Sequence, residues 1–225
     1  MHYSHMKRTL TAILLLALCF ACSPRQEQLR SGDLVFVGIP LDYSIGEDSM
    51  SQAISASTGK GELNLIHVAI ADVDKDGTYI IDATLKRGVD RHPLDSFLTD
   101  FTLKDGSLPV FVVKRLKKGI TAPECIKNAI SFCGEPYDTV FREGNGAHYC
   151  SELVRDSYLT PDGQYIFEQT PMNWKDSNGE IPVYWTQLFG MMGMEVPQGE
   201  PGTNPQEMAM SPALESVNVT LTSCR

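Results

Sequence analysis

The chain has 225 residues, 42% of them hydrophobic and 21% charged, the make-up of one globular domain with room for a sizeable core. Its net charge of −9 argues against nucleic acid as a partner, because 19 basic residues against 28 acidic ones leave no evident lysine- or arginine-rich face. The longest basic cluster, KRLKK at Lys114–Lys118, follows an apolar run and reads as a solvated strand exit.

The first segment reads as targeting sequence. Lys7 and Arg8 precede LTAILLLALCF, Leu10–Phe20, an apolar stretch of 11 residues. Spanning a bilayer takes about 20 residues, so residues 1–21 read as a secretory signal peptide. Ala21 then precedes Cys22 and a polar stretch, an arrangement that resembles a bacterial lipoprotein cleavage site, with Cys22 as the acylated first residue. Ordinary signal cleavage after Ala21 is the alternative, since Cys19 stands where such sites usually carry leucine. On the first reading, residues 22–30 are a lipid-anchored tether and the protein is exported to the bacterial cell envelope, held to a membrane by its anchor.

GDLVFVGI, Gly32–Ile39, is the first predicted strand. The Ser- and Gly-rich stretch 42–62 is expected to hold a short helix around Met50–Ser57. LIHVAIADV, Leu65–Val73, and TYIIDAT, Thr78–Thr84, flank the turn signal DKDG and read as an antiparallel hairpin. GVDRHPLDSFL reads as a short strand and then a turn or short helix, with His92 exposed before Pro93, and Leu108–Leu116 is another strand. From Thr121 the period becomes helical. Ile126, Ala129, Ile130 and Cys133 recur on one face up to Gly134, which places Cys133 in the core. A glycine-rich loop, REGNGAH, leads into a helix near Cys150, with Leu153, Val154 and Tyr158 inward. Ile181–Met194 reads as a further short helix, and the last 30 residues, rich in Pro, Gly, Met and Ser, read as extended and partly packed.

Cys19 leaves with the signal and Cys22 is taken as lipidated, so Cys125, Cys133, Cys150 and Cys224 remain. Eight residues of helix put Cys125 and Cys133 roughly 12 Å apart, too far for a disulfide. No CxxC or HxxxH pair gives a zinc pattern, so no metal and no organic cofactor is expected. Cys150 stands apart because it lies where a glycine-rich loop becomes a helix, and the free N–H groups there favour a thiolate. Ser151 lacks the G-x-S-x-G setting of a serine nucleophile.

An imidazole in a strand of Leu, Ile, Val and Ala, as at His67, is costly to bury without a partner. Alternation puts His67 beside the small Ala69 and Ala71, and the hairpin brings residues 82 to 84 opposite it, including Asp82. An acid there can hold one ring nitrogen and leave the other as a base. A satisfied core His–Asp pair is the competing reading. His148, two residues from Cys150, reads as a loop residue.

SGDLVFV, HVAI, YIIDAT, GEPYDTVF and YCSELV, in that order, resemble the circularly permuted NlpC-type amidases of papain-like fold, the YiiX-like and YaeF-like group. The tail GTNPQEMAMSPAL, Gly202–Leu214, also looks like that group's. The resemblance implies an α+β, papain-like domain over residues 31–215, a central antiparallel sheet or partial barrel with packed helices, followed by a tail at 216–225. It implies Cys150 as nucleophile, His67 as base and acid, and Asp82 as the orienting residue, in the His-before-Cys order of the permuted group. Asp82 stands where Glu is common, one methylene shorter. Tyr137 matches an aromatic position of the family, and Tyr137, Tyr149 and Tyr43 are candidate substrate contacts. The implied substrate is a small peptide, amide or acyl-lipid, cleaved at an amide bond. Acyl transfer, as in lecithin:retinol acyltransferase-like proteins, and a non-catalytic envelope-binding lipoprotein are the alternatives. The long connection 42–62 is expected to form one pocket wall through Tyr43, Met50 and Ile54, and 163–174 the facing wall through Phe167 and Trp174.

Overall fold

The computed structural model describes residues 26–40, 50–58 and 63–222. The expectations for Cys22, Tyr43, Cys224 and residues 1–21 fall outside the described residues. The predicted strands form as β1 (Leu34–Pro40), β2 (Leu63–Asp74), β3 (Gly77–Thr84), β4 (Gly88–Pro93) and β5 (Val110–Leu116). Two-residue strands β6 (Thr170–Pro171) and β7 (Pro201–Gly202) pair separately, and β8 (Leu214–Val217) completes the main sheet. That sheet has the order β4-β3-β2-β1-β5-β8, every neighbour antiparallel. The helices are α1 (Met50–Thr58), α2 (Leu94–Asp100), α3 (Cys125–Ser131), α4 (Cys150–Ser157), α5 (Val183–Met191) and α6 (Pro205–Ala209).

Alternation along the strands feeds two cores, one on each side of the sheet. Leu34, Phe36, Val68, Ile70 and Ile81 pack with Leu153 and Val154 of α4 and with α3 and α6. Val35, Val37, Ala69, Ala71 and Ile80 pack with Phe97 and Leu98 of α2. With helices on both faces, β2 is buried along nearly its whole length. That explains why its sequence is an almost unbroken apolar run. Each fully buried side chain such as Leu153 contributes about 1.5–3 kcal/mol. At the β2–β3 turn, the Asp74 carboxylate accepts from the N–H groups of Asp76 and Gly77, at 2.7 and 3.0 Å, the local bonding that makes such a stretch a strong turn signal.

A bulge interrupts the β1–β2 ladder at the site. Val37 pairs with His67 and Gly38 with Leu65, so Ile66 is the extra residue. Gly38 fits because any Cβ there would lie 2.4 Å from Leu63. Bulges re-aim the side chains beside them, and here that side chain is His67.

Three sequence expectations are corrected. Helix α3 stops at Ser131, so Cys133 lies beyond the periodic stretch and is exposed rather than in the core. Phe132 packs on the core instead, its ring 4.3 Å from that of His148. His92 is not in an exposed turn: it is a buried residue of β4. The C-terminal region is not merely extended. Asn204 caps α6 by accepting from Glu207 N–H at 2.9 Å, with Pro205 at the first helical position, and β8 pairs with β5. Leu221 is buried, and at the other end Glu27 bonds to Asn218 and Arg115.

Candidate active site

Cys150 opens α4 after Tyr149, whose backbone is extended. Main-chain bonds between Asp138 and His148 and between His148 and Pro136 fix the loop leading to it. The Asp138 carboxylate accepts from Val140 and Arg142 N–H groups at 2.8 and 2.7 Å. That brace supports Phe141, the described non-glycine residue with positive φ, 55°, a conformation disfavoured for a bulky side chain. Phe141 thereby reaches the rings of Tyr149, Trp174 and Trp185 at 5.1, 4.9 and 5.6 Å.

The hairpin delivers the base. His67 Nε2 and Asp82 Oδ2 are 2.8 Å apart, and the charge of Cys150 acts on the same ring. With Nε2 committed to Asp82, Nδ1 is the ring nitrogen left for proton transfer. Phe97 and Phe101 flank the imidazole, 6.3 and 4.8 Å between centroids. Burial pushes the His67 pKa down, but the negative charge of Cys150, the Asp82 bond and the Cys150 contact outweigh it and raise the value to about 10. Burial pushes the fully enclosed Asp82 up, and its bonds to His67 and His92 more than reverse this, to about 2.

The sulfur opens on a cleft of about 470 Å³, solvent-open part included. Its apolar walls include Ile54, Phe141, Met172, Trp174 and Trp185, and among the described residues none that lines it carries a charged side chain.

A family described as permuted papain-like amidase enzymes, YaeF/YiiX, C92, matches residues 28–218. The chain belongs to the C92 family. Uncharacterized protein YiiX of Escherichia coli (strain K12) is 24% identical over 208 residues, 91% of this chain and 94% of that one. A crystal structure described as metalloprotein yiiX from Escherichia coli O157:H7 superposes with a TM-score of 0.63 at 24% identity, covering 85% of this chain and 97% of that chain. Among the described residues of this C92 chain, no group of three or more His, Cys, Asp or Glu side chains is arranged to hold a metal ion. The described residues do not fit such a centre.

In this C92 chain His67 bonds to Asp82, and the charge of Cys150 acts on the His67 ring. Tyr137 and Tyr149 both line the cleft. Burial, then the Cys150 charge, raise the Tyr137 hydroxyl well above its ordinary value. The Tyr149 hydroxyl is engaged internally, accepting from Thr203 N–H at 3.0 Å, so its ring faces the cleft while its oxygen ties α4 to the β7–α6 turn. Ile54 and Trp174 form walls as expected, and Met50 lies behind them, its sulfur 3.7 Å from the Tyr137 oxygen. Phe167 does not: it packs in the core against Tyr158 at 5.6 Å. The sequence reading missed His92, Phe141, Trp185 and Thr203. Asp138, three residues before Phe141 and able to accept from nearby main-chain N–H groups, was the available signal for Phe141. Nothing local marked Thr203.

Glu152, in the first turn of α4, is buried and accepts from Tyr149 N–H at 3.4 Å. Burial, then Asp138, raise its carboxyl from 4.5 to about 8. Between those values the folded chain holds a proton that the unfolded chain has released. Stability therefore falls as pH rises from about 4.5, and the loss is complete above about 8. Glu152→Gln is expected to flatten this decline, giving a variant more stable than wild type at pH 8.5 but not at pH 4.5, read as melting temperature against pH. Parallel curves would refute the assignment.

Proposed function

We propose that the protein is a thiol hydrolase that cleaves an amide whose acyl portion is uncharged and apolar. One observation carries the reading: Cys150, whose charge acts on the Asp82-bound His67, lines a cleft walled by aromatic and apolar side chains. The Cys150 thiolate attacks the amide carbonyl, forming a C–S bond, and the N-terminal N–H groups of α4 stabilise the oxyanion. As the C–N bond breaks, His67 gives its Nδ1 proton to the departing amine. Water enters, His67 takes its proton, and the hydroxide equivalent displaces the thiolate to release the acid. Asp82 keeps Nε2 protonated throughout, so that Nδ1 is the nitrogen that cycles. The signal-like Leu10–Phe20 stretch and Cys22 support export and anchoring by a lipid, with the cleft turned to cell-envelope substrates.

The test compares p-nitroanilides carrying a short apolar acyl group with γ-glutamyl p-nitroanilide. The expected result is at least about a tenfold preference in kcat/KM for the apolar acyl group, reduced by Trp174→Ala. An acyl–Cys150 adduct should be visible by intact mass when water attack is slow. Equal turnover of both, or preference for the charged acyl group, would overturn the substrate assignment.

A further inference from the structure

Asp82 has two imidazole partners. Its Oδ2 meets His67 at 2.8 Å, and its Oδ1 meets His92 Nε2 at 2.9 Å. The β3–β4 register accounts for this: Ile80 pairs with His92 and Asp82 with Asp90, so His92 lies diagonally next to Asp82 on the neighbouring strand. Both histidines are buried, the carboxylate between them is fully enclosed, and Phe97 of α2 lies near each ring, at 6.3 and 6.4 Å. His92 Nδ1 is buried and has no partner among the described residues.

That unpaired nitrogen fixes the tautomer. With the proton on Nε2, His92 donates to Oδ1 and leaves only a lone pair at Nδ1. With the proton on Nδ1, a buried donor would go unpaired and a lone pair would face the carboxylate, two penalties at once. The carboxylate needs this second partner. Rotation about the last bond of an aspartate is soft, and a short side chain held at one oxygen alone can swing its plane away from His67.

We propose that His92 is a positioning residue for the Cys150–His67 pair: its Nε2–H donates to Asp82 Oδ1 and fixes the plane in which Oδ2 meets His67. It touches neither substrate nor sulfur, and acts through Asp82. The inference rests on the thiol-hydrolase reading of Cys150, and the experiment separates the two.

The probe is iodoacetamide, with Cys150 alkylation rates measured from pH 5 to 9 by mass spectrometry in wild type, His92→Leu and His92→Gln. Leucine fills the space without a donor, while glutamine restores an N–H near the position of Nε2. His92→Leu is expected to slow Cys150 alkylation at pH 7 by about tenfold and to shift its pH profile, and His92→Gln to recover to within about threefold of wild type. A residue that merely fills the core would not distinguish the two through the pH profile at equal melting temperature. Wild-type rates in His92→Leu, or a glutamine variant as slow as the leucine one, overturn the proposal. Should His92→Leu fail to fold, the long-range 1H–15N spectrum of the wild-type imidazoles decides: an Nε2–H tautomer at His92 supports it and an Nδ1–H tautomer overturns it. If wild-type Cys150 reacts no faster than Cys125 and Cys133, the nucleophile assignment fails instead, whatever the His92 spectrum shows.

Discussion

Cys150→Ala is expected to lower amide turnover by about 10⁴-fold or more and to abolish the covalent adduct, with the fold intact. His67→Ala should cost nearly as much, and the double variant little more, because nucleophile and base act as one unit. Labelling with iodoacetamide should find Cys150 first in the folded protein. Burial raises the thiol pKa of both Cys125 and Cys133, so less of each is thiolate at neutral pH. The His67 value of about 10 keeps the imidazolium available as a general acid through neutral pH, and kcat/KM should fall above about 10 as that proton is lost. The same value depends on the charge at Cys150, so the His67 titration followed by NMR should move to lower pH in Cys150→Ala. Faster labelling of Cys125 or Cys133, or an unmoved His67 titration, would sink the pairing.

Asp82→Asn is the second large effect, and the structure makes it sharper than loss of charge alone. Asp82 accepts from two imidazole N–H groups, one at each oxygen. An asparagine has one acceptor oxygen, and its other terminal group donates. One histidine must therefore meet an NH₂ where it had an acceptor, and must turn over its tautomer or leave two donors facing each other. If His67 yields, its free lone pair leaves the sulfur side and base catalysis stops. Turnover should fall by about 10²–10⁴-fold, chiefly in kcat. Asp82→Ala should add a stability loss of about 3–5 kcal/mol, since it leaves buried polar rings unpaired. Turnover of Asp82→Asn within twofold of wild type would show that another group orients His67.

Much of this was legible locally. The hairpin carrying His67 and Asp82 declared itself by apolar runs about a strong turn, and the Cys150 helix by a glycine-rich loop before an amphipathic stretch. His92 was misread because Pro93 follows it, and proline usually signals a turn. The strand it ends is the sheet's edge strand, where proline removes no needed ladder bond. The helical period through Ile130 hid the early stop of α3, because Phe132, not Cys133, supplies the apolar contact after it. Phe167 and Trp174 looked alike in composition. Only packing separates them, Phe167 going to Tyr158 and Trp174 to Phe141. The C-terminal strand had too few apolar residues to show a period, and it is ordered by pairing with β5.

The two halves of the site also differ in how far apart along the polypeptide their parts lie. His67, Asp82 and His92 belong to three consecutive strands joined by tight turns, whereas the sulfur arrives from α4, 83 positions after the base. Contacts of short separation close with little loss of chain entropy and assemble early, while distant ones wait for the rest of the molecule. The imidazole–carboxylate cluster needs only neighbouring strands, while Cys150 must be brought in from a distant part of the chain. Until α4 docks, that thiol has no base beside it. The pairing of sulfur with base therefore carries a larger loop-closure cost than the pairing of base with carboxylate.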